Sequence, residues 1–222
     1  MFNVLTCIVD KHDPRLLIAA LVICVVSAAT GLSIHAHATA SRGVARIRWS
    51  VLGGFITGSG VWATHFLFML AIQSDVSVSY AFNAAALSLC AAVAILSCGF
   101  FTAAKSDSPQ GRGAGGAIIG GGIAAMHLIG VSAMTGAVIL SWDYRLLAAA
   151  LFIALGASAA AISVAGRGDD HLRRWVGAGL LVVAICSLHF TAMAAPSSCR
   201  KPRSPATMSC RSRSPPAASW GC

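Results

Sequence analysis

Gly120-Gly-Gly-Ile-Ala-Ala-Met-His-Leu-Ile-Gly-Val-Ser-Ala-Met134 is apolar, rich in small residues, and carries one histidine at its centre. The pattern recurs. Gly60-Val-Trp-Ala-Thr-His-Phe-Leu-Phe-Met69 surrounds His65, and Ala184-Ile-Cys-Ser-Leu-His-Phe-Thr-Ala-Met193 surrounds His189. His65, His127 and His189 are spaced by 62 residues, so three copies of one unit follow each other along the chain.

The surroundings of the copies set the solvent. Of the 222 residues, 57% are hydrophobic and 10% charged, against about 25% charged in a typical soluble domain. The mean hydropathy is +0.77. Six runs hold no Asp, Glu, Lys or Arg: Leu16–Ile34, Trp49–Ile72, Val76–Ala104, Gly113–Trp142, Leu146–Gly166 and Trp175–Pro196. A bilayer core of about 30 Å takes about 20 apolar residues as a helix. The chain therefore reads as all-α: a polytopic membrane bundle of six transmembrane helices built from three helix pairs. The first run could instead be a leader cleaved near Ala36 to Ala40, but Asp10, Asp13 and Pro14 before it do not suit one.

The net charge of +9 does not point to nucleic acid, because the cations cluster in alternate loops. Arg42, Arg46 and Arg48 follow the first run, Lys105 and Arg112 the third, and Arg167, Arg173 and Arg174 the fifth. Positive loops stay cytoplasmic, which puts the amino terminus outside. Residues 1–15 form an outer segment, 16–196 the membrane domain, and 197–222 a Pro-, Ser- and Arg-rich tail expected to be disordered. The tail's basic charge conflicts with an outer location, which suggests a truncated or frame-shifted end. His35 and His37, just past the first run, read as solvated loop histidines. The eight cysteines show no disulfide or zinc spacing, and those within the runs act as small apolar residues.

Residues four apart share a helix face. His65 and Met69 are so related, as are His189 and Met193. In the middle copy Val131 takes that position; Met134, at +7, lies on nearly the same face, and Met126 points about 100° away. Imidazoles with thioethers make a soft-to-borderline ligand set: thioether sulfur favours Cu(I), imidazole suits copper, zinc and iron, and the lack of carboxylates argues against calcium, magnesium and manganese. The residues thus point to a shared metal site of His65, Met69, Met126, His127, Met134, His189 and Met193 in the outer half of the membrane. Haem ligated by His with His or Met is a variant. Polar helix packing or a proton or ion path is the alternative. No nucleophile–base pair stands out, so catalysis is not expected.

On these motifs the chain resembles the MHYT family of bacterial integral-membrane sensor domains over roughly residues 10–196. Met126-His127 stands where the family's Met-His-Tyr-Thr motif falls, with Leu128 and Ile129 in place of Tyr and Thr. His65-Phe-Leu-Phe-Met69 and His189-Phe-Thr-Ala-Met193 match the flanking copies. The resemblance implies copper held by these His and Met residues, a diatomic gas (oxygen, carbon monoxide or nitric oxide) or redox change as signal, and a bacterial inner-membrane location. It also implies a cytoplasmic signalling output module or partner, commonly one that makes or hydrolyses cyclic di-GMP. Two departures stand out: Val131 in place of a methionine, and no seventh helix or output module within the 222 residues.

Overall fold

In a computed structural model, residues 13–71, 79–135, 138–166, 170–193 and 196–200 are described. Among them, six helices are long and apolar enough to cross a membrane. They are α1 (Pro14–Ala40), α2 (Gly43–Ala71), α3 (Phe82–Lys105), α4 (Pro109–Ser132), α5 (Tyr144–Ala165) and α6 (His171–Met193). At 22 to 29 residues they are about 33–44 Å long, enough to span the hydrocarbon core.

Local chemistry sets several of the boundaries. Asp13 caps α1 by accepting from the Arg15 N–H at 2.9 Å, with Pro14 in the first turn. Ser108 accepts from the Gly111 N–H at 3.1 Å ahead of α4, again beside a proline, Pro109. Asp143 accepts from the Arg145 N–H at 2.9 Å for α5, and Asp170 from the Leu172 N–H at 3.0 Å for α6. These side chains satisfy amide donors that the first turn of a helix leaves open.

Each helix packs against its neighbour in sequence, and α1 closes the ring against α6. Contacts of α2 and α6 with α4 bring the three histidine helices together inside. Large apolar side chains such as Ile18, Phe55, Phe152 and Val183 face outward, as lipid-facing residues do. The inner surfaces are lined by small residues. Gly116 and Gly120 of α4 lie so close to α5 that an added Cβ would come 2.5 Å from the Ser158 and Ala154 carbonyl oxygens. This small-xxx-small spacing permits backbone contact where lipid gives no hydrophobic drive to associate.

Two antiparallel ribbons join the loops beyond the histidines. β1 (Ser79–Tyr80) pairs with β2 (Met134–Thr135), and β3 (Val138–Trp142) with β4 (Pro196–Arg200). Tyr80 faces Met134 and Trp142 faces Pro196; Ser79 faces Thr135 and Ser141 faces Ser197. Those two pairs of the second ribbon stand 62 positions beyond the two pairs of the first, so the repeat extends to loop register.

Several boundaries differ from those of the apolar runs. The run 113–142 is not one helix: α4 stops at Ser132, and the rest contributes β2 and β3. The third helix starts at Phe82 rather than Val76. Hydropathy does not separate a spanning helix from an apolar loop next to it. The tail begins with β4 at 196–200 rather than without regular structure, while the disorder expected over 201–222 falls outside the described residues. So does most of the outer segment, 1–12, with Arg167.

His35 corrects a second expectation. α1 runs on to Ala40, so His35 is a helix residue, 2% exposed, with its ring 5.3 Å from that of Phe100. Helix-favouring alanines at 36, 38 and 40 carry α1 past the last hydrophobic residue of its run. His37 likewise lies in the helix and not in a loop, but it is exposed as expected and stacks on Trp49 at 5.0 Å.

Candidate metal centre

His65 on α2, His127 on α4 and His189 on α6 meet inside the ring, each 2–3% exposed. Each lies four to six residues before its helix ends, about 6–9 Å of rise. The cluster therefore sits nearer the helix ends than the apolar runs suggested. Ring centroids are 4.8, 5.3 and 5.4 Å apart, and the rings cross at 73–87°. The three imidazoles face a common point.

The Nδ1 atom of His65 lies 3.1 Å from that of His127 and 3.3 Å from that of His189. A neutral imidazole nitrogen carries one proton or one lone pair, not both. The Nδ1 of His65 can therefore donate to its neighbours or accept from them, but it cannot relay a hydrogen bond between them. With protons alone, that one nitrogen makes its two contacts only as a bifurcated bond. A single cation satisfies all three lone pairs at once. Imidazole–metal distances of about 2.0–2.1 Å imply nitrogen separations of roughly 3.3–3.6 Å in tetrahedral or trigonal geometry, close to those found. The cluster is also the group of metal-ligating side chains that proximity picks out among the described residues, with ligand atoms within 4.8 Å of one another.

A cavity of about 10 Å³, room for about one water, adjoins the cluster. Its walls are built in layers from equivalent positions: Val61, Ile123 and Ile185, then Thr64, Met126 and Leu188, then the histidines. Phe68 completes it and packs on His189, with ring centroids 5.0 Å apart. An approximate threefold axis thus passes through the site. A space this small leaves a haem macrocycle no place between the histidines.

Close packing fixes the rings. Phe66 meets His65 edge-on at 5.0 Å. An added Cβ on Gly130 would come 2.6 Å from Nε2 of His65, so the absence of a side chain there admits the ring. The Nε2 atoms of His65 and His127 are buried without a hydrogen-bond partner among the described residues. Next to the site, the Thr64 hydroxyl donates to the Ala20 carbonyl at 3.3 Å, and the thiols of Cys24 and Cys186 interact with each other.

The methionines divide. Met126 lines the cavity with the histidines, although a helical wheel turns it away from His127. Met69 is buried one turn beyond His65, and Met193 is half-buried at the end of α6. Met134 has left the helix face from which it was expected to reach; it lies in β2 opposite Tyr80. The cavity residues Val61, Thr64 and Phe68 were not foreseen. The 62-residue spacing, extended to every position around the histidines, identifies the first two of them.

Fold and site together define a multi-pass membrane domain of repeated helix pairs around a buried three-histidine cluster. The chain matches the family described as the bacterial signalling protein N-terminal repeat, MHYT, at residues 58–116 and 120–178, together more than half its length. It belongs to this family. The third copy, around His189, lies beyond the matched residues and is tied to the others by spacing and by the shared centre. An uncharacterized signaling protein of Caulobacter vibrioides is 35% identical over 195 residues, 88% of this chain and 24% of that protein. Two proteins of Pseudomonas aeruginosa are also similar. The bifunctional diguanylate cyclase/cyclic di-GMP phosphodiesterase MucR is 31% identical over 85% of this chain and 28% of its own length. The cyclic di-GMP phosphodiesterase NbdA is 32% identical over 83% and 24% respectively. The chain spans about a quarter of the length of these relatives. No solved structure matches it.

Proposed function

We propose that this domain is a membrane sensor whose three histidines hold one copper ion. The convergence of three buried imidazole nitrogens from three helices carries the reading. His65, His127 and His189 form the core of the ligand set, and Met126, beside them in the cavity, offers a soft thioether. Met69 and Met193, one turn from their histidines, complete the set in the flanking copies, and Met134 stands further off. Copper, when bound, supplies a site for a diatomic gas or a one-electron redox change. The chain's own residues do the rest. The histidines tie α2, α4 and α6 at one depth, the apolar layers exclude bulk water, and the small cavity limits a ligand to about two atoms.

A sensor needs two packing states that its signal weights differently. The ring offers a means, because any change in the three-histidine spacing moves three helices at once. The signal would pass to the arginine-rich end, which the positive-inside pattern makes cytoplasmic, with the amino terminus outside. The location that fits is a bacterial inner membrane. Relatives named for cyclic di-GMP synthesis and hydrolysis suggest that class of output, in the same polypeptide or a partner.

The test is metal analysis of the detergent-purified protein, grown with copper, beside a variant carrying His65→Ala, His127→Ala and His189→Ala. The reading expects near-stoichiometric copper in the native chain and a trace in the variant. Equal trace metal in both sinks it.

A proton or ion path is the second reading, and one observation favours it. Ser50, Thr57 and Thr64 recur at seven-residue spacing on α2, all fully buried, from the arginine-rich end up to His65. Proton or copper flux in proteoliposomes, abolished by Thr57→Val, would select it over sensing.

A further inference from the structure

At the arginine-rich end, far from the histidines, lies an open cavity of about 490 Å³. It is lined by Thr39, Ser41, Arg42, Arg46, Lys105 and Asp107, where the end of α1, the start of α2 and the end of α3 come together. Three cations face one carboxylate. Among the described residues, neither Arg42 nor Lys105 has an ion-pair partner, and Arg46 uses its Nε to donate to the Ser41 carbonyl at 2.9 Å. That bond holds the guanidinium in place and leaves its forked terminal nitrogens for another acceptor. The start of α2 adds open backbone N–H groups and the positive end of its dipole, with no acidic residue in its first turn to offset them.

Lys105 alone would be accounted for as a cation at the end of α3, where it complements the helix dipole. The positive-inside pattern puts Arg42 and Arg46 at this end of the bundle, but the helix dipole does not favour them where they stand. Arg42 stands between two helices and Arg46 lies in the first turn of α2, where positive charge is unfavourable unless an anion is near. The volume falls within the range of small-molecule sites and exceeds what an inorganic ion fills. Threonine and serine hydroxyls on the same wall supply further hydrogen-bonding groups.

We propose that this cavity binds a phosphate group, carried either by an anionic lipid headgroup or by a soluble phosphate compound. Basic pockets between helices at a membrane surface suit such groups, and each cation near the surface strengthens binding roughly fivefold. Arg42, Arg46 and Lys105 together therefore account for on the order of a hundredfold.

The experiment uses the full chain. Retention of phosphatidylglycerol is read by native mass spectrometry after exchange from nanodiscs of phosphatidylglycerol and phosphatidylcholine, with and without added inorganic phosphate or pyrophosphate. The triple variant Arg42→Gln, Arg46→Gln, Lys105→Gln is compared with a control, Arg48→Gln, Arg173→Gln, Arg174→Gln, which removes the same charge from the same end. Loss of retained phosphatidylglycerol in the triple variant only, unaffected by free phosphate, assigns the site to a lipid. Binding of pyrophosphate by the native chain and not by the triple variant assigns it to a soluble compound. Equal binding in native and triple variant with both probes overturns the proposal, as does an equal loss in the control. If the triple variant does not fold, Arg42→Gln and Lys105→Gln decide. Both side chains are exposed, each is expected to weaken binding roughly fivefold, and no effect from either overturns the proposal.

Discussion

Gly130→Ala tests the geometry of the centre without replacing a ligand. The new methyl group would come 2.6 Å from Nε2 and 3.0 Å from Cδ2 of His65. Ordinary contact for such atoms is about 3.5 Å, so the ring or α4 must move by somewhat under 1 Å. A metal site tolerates about 0.2 Å in its ligand distances, so that movement pulls His65 out of a shared coordination sphere. Changes one shell out from a metal typically cost 10–100-fold in affinity, and the same range is expected here. The overpacking itself costs roughly 1–3 kcal/mol. Gly121→Ala, on the same helix, meets nothing nearer than 3.9 Å and serves as control. The assay is competition for Cu(I) with a coloured chelator, alongside thermal unfolding in detergent. The account predicts weakened copper binding in Gly130→Ala and native binding in Gly121→Ala. Native copper affinity in Gly130→Ala, with the protein folded, would refute the reasoning that Gly130 seats His65 for coordination.

Three further predictions address the frame. Gly120→Val, whose side chain would strike the Ala154 carbonyl, is expected to cost about 1–3 kcal/mol and to lower the thermal midpoint, whereas Gly179→Val, with nothing within 4 Å, leaves it near native. With native cysteines replaced by alanine, the pairs Ser79→Cys with Thr135→Cys and Ser141→Cys with Ser197→Cys should both form disulfides on mild oxidation, because both face each other across a ribbon; peptide mapping that finds one bridge without the other contradicts the shared register. Burial raises the titration of the Tyr80 phenol above its ordinary value near 10. A raised native value means that this contribution to stability is whole below about pH 10 and is lost as pH climbs through the native value. Ultraviolet titration should show a late component that Tyr80→Phe removes, and a Tyr80→Phe profile that keeps a late component and loses an ordinary one contradicts the burial.

The histidine cluster was legible in the sequence because a repeat copies position as well as residue type. Three helices related by 62 residues must place His65, His127 and His189 at one depth, and small residues let those helices approach. Helix number was equally plain from the runs between arginine-rich loops. Helix ends were not. Ser132 ends α4 inside a run whose hydropathy continues to Trp142, so Met134 was carried on a helical face that does not exist. The reverse happened at His35, where the apolar run stops but alanines continue the helix and bury the side chain. Met126 shows a third limit. A helical wheel turns it about 100° from His127, yet a centre enclosed by three helices is reached from more than one face. The cavity at the arginine-rich end depends on how three helix ends meet, and hydropathy does not report that.

The most direct test of the shared centre is X-ray absorption at the copper edge of the copper-loaded protein in detergent. The account predicts three imidazole nitrogens at roughly 2.0–2.1 Å in one coordination sphere, with the imidazole signature reduced by a third in each of His65→Ala, His127→Ala and His189→Ala. A copper sphere without imidazole, or one that the three substitutions leave unchanged, would contradict it.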